Sequence, residues 1–246
     1  MSALAAALAA AFALVVTGRW WRSRRPAFAA WAAGLAIFSG AALTQALGEH
    51  GGFSVPLFRA FYLLGGVLGV IYLALGTVFL MAPPRVARAS AALLLVLTVV
   101  LAVQAAMVPV DLGRLAGSPG HAPRLSDPWQ GGAALIAAAI VFNILGTLVL
   151  CGGSAWSAWR FYRDRAGIDR VACNLLLTAG GLTVGLAFSA LKVGARLDFS
   201  TLGVYEAVGI AVMFAGFLSL GRVGRKAPRR STLGEDGPVQ PAANSG

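Results

Sequence analysis

The sequence predicts an all-α, polytopic bundle of seven transmembrane helices, with the N-terminus outside and the C-terminus in the cytoplasm. Three observations predict it. The 246-residue chain is 58% hydrophobic and 12% charged, with a mean hydropathy of +0.78, which is more apolar surface than a soluble domain of this size buries. Seven apolar stretches each approach the roughly 20 residues that a helix needs to cross about 30 Å of hydrocarbon. Basic residues fall almost entirely beyond alternate ends of those stretches. The short alternating strands of a membrane barrel are missing from the sequence, so the backbone must satisfy itself within helices.

Span 1, residues 2–18, is Ala-rich and followed by small residues, as a cleaved signal peptide would be. The charge order argues for a retained helix instead. A signal peptide carries its positive charge before the apolar core, whereas here Arg19, Arg22, Arg24 and Arg25 come after it. Span 2 covers 27–47 and carries Gln45, with Glu49 and His50 just beyond. In span 3, 57–82, Gly65, Gly69 and Gly76 have the small-residue spacing that lets helix backbones approach closely. Span 4 covers 89–109 and includes Gln104; the next segment, 110–130, is too rich in Gly and Pro for a regular helix. Span 5, 131–151, places Asn143 near mid-membrane. Span 6, 171–191, repeats the small-residue spacing at Gly181 and Gly185 and ends at Lys192. Span 7, 202–221, carries Tyr205 and Glu206 about one turn inside the boundary. Residues 1–221 thus form a transmembrane domain, and 222–246, rich in Gly, Pro, Ser and Arg, read as a disordered basic tail.

The charges orient the bundle. Fifteen of the twenty basic residues lie after spans 1, 3, 5 and 7; the other five, Arg59, Arg114, Arg124, Lys192 and Arg196, share the opposite side with five acids. One side is neutral and the other carries the whole +11. Basic loops stay in the cytoplasm, and orientation alone requires this scatter of cations, so nucleic acid is not an expected partner. Membrane lipids are, and the tail's basic start suits anionic headgroups. Eighteen Arg against two Lys, with abundant Ala and Gly, is the composition of a GC-rich bacterial genome and points to a bacterial cytoplasmic membrane. Trp20, Trp21, Trp129, Trp156 and Trp159 fall at the expected water interfaces.

Phe53-Ser54 before span 3 and Phe199-Ser200 before span 7 are 146 residues apart, and the same offset sets Arg24 on Arg170. Spans 1–3 and 5–7 then read as parallel copies joined by span 4, an organisation that small transporters use.

Polar residues inside the spans are where function is sought, because an ionisable group there is expensive and usually faces protein or water. Glu206, Arg59, Tyr62, Gln45, Gln104, Tyr205 and Lys192 all lie in the outer half. They are expected to line an outward-facing vestibule that binds a small molecule, with Glu206 paired to Arg59 or Lys192. The function expected is small-solute transport or ligand binding; the alternative is an accessory or signalling subunit that acts through a membrane partner, a second copy or the basic tail. No GxSxG, HExxH, P-loop or intramembrane histidine pair occurs, so no catalytic residue, cofactor or metal site is expected.

Resemblances add little chemistry. The layout is similar to that of microbial rhodopsins, but 202–221 contains no lysine for a retinal Schiff base. It also resembles the three-plus-one-plus-three sugar transporters and their proline-glutamine-loop relatives, without any Pro-Gln dipeptide. The run from Pro56 to Gly65, with Leu75-Gly76-Thr77-Val78-Phe79-Leu80 beyond it, resembles a stretch of uncharacterised bacterial seven-helix integral membrane proteins. That resemblance covers about a tenth of the chain, implies no activity, and draws attention to Arg59, Tyr62 and Gly76.

Overall fold

The computed structural model describes residues 1–111, 113, 115, 128–165, 167–192 and 199–226, with 188–192, 199, 200 and 220–226 described by their backbone alone. It contains seven helices long and apolar enough to cross a membrane. We number them α1 (Ser2–Ser23), α2 (Pro26–Gly51), α3 (Val55–Met81), α4 (Pro84–Met107), α5 (Ala133–Arg163), α6 (Ile168–Lys192) and α7 (Phe199–Lys226). No strand forms among the described residues; Val110 and Trp129 make an isolated bridge. The protein is a multi-pass, all-α seven-helix bundle.

Local sequence sets the helix ends. Pro26 and Pro84 open α2 and α4 in the first turn, where a missing N–H costs nothing. Gly52, at φ +79°, ends α2 by turning its N–H back to the Gly48 carbonyl, a conformation that glycine adopts without steric cost. Several helices outrun the apolar spans: α5 continues to Arg163 and α7 to Lys226. Hydropathy marks where lipid ends, whereas the hydrogen-bond ladder continues into the headgroup layer, and cations there suit the negative C-terminal end of a helix. Residues 222–226, expected in the disordered tail, continue α7 as helix, and 227–246 lie outside the described residues.

Six helices close a ring. Each of α1, α2, α3, α5, α6 and α7 packs on two neighbours, in the circular order α1–α2–α3–α5–α6–α7 and back to α1. Exchanging α1, α2, α3 for α5, α6, α7 maps this set of contacts onto itself, as an axis along the membrane normal between two parallel three-helix units would. Equivalent glycines sit at the equivalent seams. A Cβ on Gly34 would lie 2.7 Å from the Leu73 backbone N on α3, and one on Gly180 would run into the Gly209 carbonyl on α7; the two glycines are 146 residues apart. Gly181 and Gly185 bring α6 close to Cys151 and Thr147 of α5, and Gly76 accepts the Trp31 ring. With lipid as apolar as the side chains, such close packing is what holds the ring together.

The helix α4 stands outside the ring, against α3 and α5. Only Ala87, Leu94, Leu101 and Ala105 of α4 are buried, and Leu93, Leu95, Val96, Val99, Val100 and Val103 face outward. Within α3 the hydrogen-bond pattern widens to π-helix over Tyr62–Leu68.

Candidate functional site

The bundle has two ends: one holds Met1, and the other holds the arginines of the α1–α2 and α5–α6 connections. At the Met1 end two polar groups form, in different places. In the first, Gln45 Nε2 donates to Ser2 Oγ at 2.9 Å, and Ser2 Oγ donates to Glu49 Oε1 at 2.9 Å. Here α7 closes onto α1, since a Cβ on Gly203 would lie 2.7 Å from the Ser2 backbone N and Oγ. One turn further in sits Glu206, 1% exposed, with Oε2 lacking a hydrogen-bond partner; Gln45 is 0% exposed and its Oε1 also lacks one. The charged groups that act on this carboxyl are the Glu49 carboxylate and, with opposite sign, the Met1 amine.

In the second group, Arg59 Nη2 donates to the Val108 carbonyl at 3.0 Å. Val108 is the C-cap of α4, so the guanidinium satisfies an orphan carbonyl at the negative end of that helix. Tyr62 is buried with its ring 5.1 Å from that of Trp129, and Phe58 packs on both. Gln104, one turn before Val108, is half-buried with Oε1 unpartnered.

The seven residues expected to line one vestibule are therefore divided. Glu206 and Gln45 share the first group, while Arg59, Tyr62 and Gln104 belong to the second. The expected Glu206–Arg59 pair is not formed, because Arg59 is spent on the end of α4. Tyr205 is 46% exposed on the outer surface of the ring; a helix turns about 100° per residue, so Tyr205 and Glu206 cannot both face inward. The Lys192 side chain lies outside the described residues, as do His121 and most of 112–127. Trp129, expected as an interface anchor, is buried at 6% exposure among Phe58 and Tyr62. An isolated bridge joins Trp129 to Val110, just beyond the end of α4. Trp20 and Trp21 meet edge to face with Arg24 over both, and Trp156 and Trp159 form a tilted pair with Arg163 over Trp159.

The large cavity is at the opposite end. A vestibule of about 740 Å³ opens among the arginine-bearing helix ends, lined, among the described residues, by Arg19, Arg25, Arg160 and Arg170 against one carboxylate, Asp164. All six ring helices contribute to its wall and α4 does not; Phe28, Trp31, Trp156, Phe161 and Phe217 give it an aromatic lining. The Arg19 guanidinium lies 4.2 Å from the centre of the Phe217 ring, that of Arg170 5.8 Å from Phe161, and Arg160 Nε is 3.6 Å from Asp164. Trp31, Leu177 and Phe217 also line a second, deeper chamber of about 30 Å³, walled by Phe12, Val16, Leu35, Leu73, Leu150 and Met213 with Ser154 as its polar group. Beyond it, Phe38, Ala42, Val184, Ala207 and Ile210 pack the core over the ten residues, about 15 Å of α2, that separate Leu35 from Gln45.

Sequence reasoning counted these four arginines as orientation charges and left out Ser2 altogether. Each arginine sits on a different helix end, so only the closed ring shows that they converge. Ser2 carried no signal, since an isolated serine at the start of an apolar run is commonplace. Among the described residues no three His, Cys, Asp or Glu side chains gather to hold a metal ion. His50 Nδ1 lies 2.8 Å from the Ala46 carbonyl of its own helix. No family model, curated protein or solved structure matches the chain.

Proposed function

We propose that this protein is a small-solute carrier of a bacterial cytoplasmic membrane, with its arginine-rich end in the cytoplasm and its conformation open on that side. The observation that carries the reading is the axial vestibule of about 740 Å³, within the 300–1,000 Å³ range of small-molecule sites, bounded by two similar three-helix units. The basic end belongs in the cytoplasm by the charge rule. At the other end the Ser2–Gln45–Glu49 hydrogen bonds and the close approach of Gly203 to Ser2 hold α1, α2 and α7 together as the closed gate, so the outward vestibule expected from the sequence is here the shut side. The two halves meet chiefly along two seams, α3–α5 and α7–α1, with a smaller contact between α2 and α7, and rocking about them would exchange which end is open, as in other repeat-built transporters.

The test is accumulation. Proteoliposomes are incubated in a cell-free extract of small molecules and their lumen contents identified by mass spectrometry. The expected result is at least one compound enriched over protein-free liposomes, with enrichment lost in Arg160→Glu. A lumen identical to that of empty liposomes would overturn the carrier reading.

A further inference from the structure

From the vestibule and the chamber beneath it we infer the class of solute: an amphipathic organic anion, a carboxylate or phosphate head on an apolar body a few carbons deep. The inference rests on the vestibule being the binding site, whether or not the solute is then carried across.

Charge comes first. Four arginines face one aspartate around the mouth, and guanidinium forks match planar carboxylate and tetrahedral phosphate geometry better than any other side chain. Helix α2 begins at this rim with Arg25 as N-cap and no side-chain cap, so the positive end of its dipole adds to the same mouth. A cation would meet repulsion here. Arg19 and Arg170 lie over Phe217 and Phe161, so rings of the wall steady two of the guanidinium groups.

Shape comes second. Below the arginines the wall changes to Trp31, Leu177 and Phe217, which belong to both cavities, and then to aliphatic and aromatic carbon with only Ser154 polar. A bare inorganic anion would leave this apolar half without a partner. A solute with an apolar tail would fill it, and the chamber of about 30 Å³ admits only the tip of such a tail. A free organic acid and an anionic lipid headgroup present the same chemistry at this depth.

Binding of octyl phosphate, octanoate, octylammonium and inorganic phosphate is measured on the full-length protein in phosphatidylcholine nanodiscs. Octyl phosphate and octanoate are expected to bind at least about tenfold more tightly than octylammonium and inorganic phosphate. The Arg25→Gln/Arg160→Gln variant is expected to lose at least that factor for octyl phosphate; both side chains are exposed, so folding is not at stake. Filling the chamber with Ser154→Leu is expected to weaken octyl phosphate and leave inorganic phosphate unchanged. Nanodiscs containing phosphatidylglycerol separate the sources: competition assigns the head site to lipid, and its lack assigns it to a free acid, both within the inferred class. Equal binding of octylammonium, equal binding of inorganic phosphate, or indifference to the double arginine variant would each overturn the inference. The carrier reading fails separately: tight anion binding without accumulation leaves a binding protein of the same specificity, and accumulation of a cation leaves a carrier of another class.

Discussion

Glu206 shows how a single residue reads differently alone and in company. In the sequence it is an intramembrane carboxylate awaiting a cation; in the structure its Oε2 is buried without a hydrogen-bond partner, beside a second carboxylate, Glu49. An unsatisfied buried polar atom costs about 1–3 kcal/mol. Glu206→Gln keeps the size and sets an amide donor permanently beside the Glu49 carboxylate, and is expected to raise stability by about 1 kcal/mol in thermal unfolding of the purified protein. A lowered midpoint would mean that attraction to the Met1 amine dominates. Arg59 makes the opposite case. Its guanidinium already caps α4 through the Val108 carbonyl, with Nε buried and unpartnered, so its conspicuous position in span 3 serves helix termination.

At the scale of the element, the π-helical stretch Tyr62–Leu68 is what no periodicity revealed. A π turn holds one residue more than an α turn, so it rotates the N-terminal part of a helix relative to the C-terminal part, and such bulges recur at functional places in helices. Here it aims Phe58, Arg59 and Tyr62 toward Trp129 and Val108 while Gly69–Met81 keeps its own face on the ring. The stretch already holds its extra residue, so inserting one alanine between Phe61 and Tyr62 would turn Val55–Phe61 by about 100°. It is expected to cost about 3 kcal/mol or more, the scale of losing a buried aromatic from a core, again read by thermal unfolding. An unchanged midpoint would mean that the register of this segment is immaterial. The peripheral helix α4 is the complementary case: most of its apolar residues face outward, and a hydropathy plot cannot distinguish such a helix from one inside the ring.

For the whole molecule, orientation is the property on which the carrier reading depends. In a background with the two buried thiols Cys151 and Cys173 replaced by alanine, an impermeant maleimide added to intact cells is expected to label His50→Cys and to spare Arg163→Cys; both positions are exposed. The reverse labelling would place the arginine-lined vestibule outside and turn the proposed direction of opening around. Symmetry is the other whole-molecule property. The exchange of α1–α3 with α5–α7 preserves the ring, and it sets a cavity on the axis where arginines from both units meet.

Seven helices, their approximate limits and the segregation of charge were legible in the chain itself, because hydrocarbon thickness and the cost of unpaired backbone act on each segment separately and leave a record in its composition. The polar half was legible as a list, and Glu206 and Gln45 from it are both buried. Which of those residues meet was not, since the facing of a side chain depends on helix rotation, and a π turn or a neighbouring glycine shifts that rotation without changing hydropathy. The placement of α4 outside the ring, the capping role of Arg59, the burial of Trp129 and the convergence of Arg19, Arg25, Arg160 and Arg170 were decided only by tertiary packing. Between helices in lipid the hydrophobic effect offers little preference, so close backbone approach at Gly34, Gly180 and their like, and not the pattern of any single span, selects the neighbours.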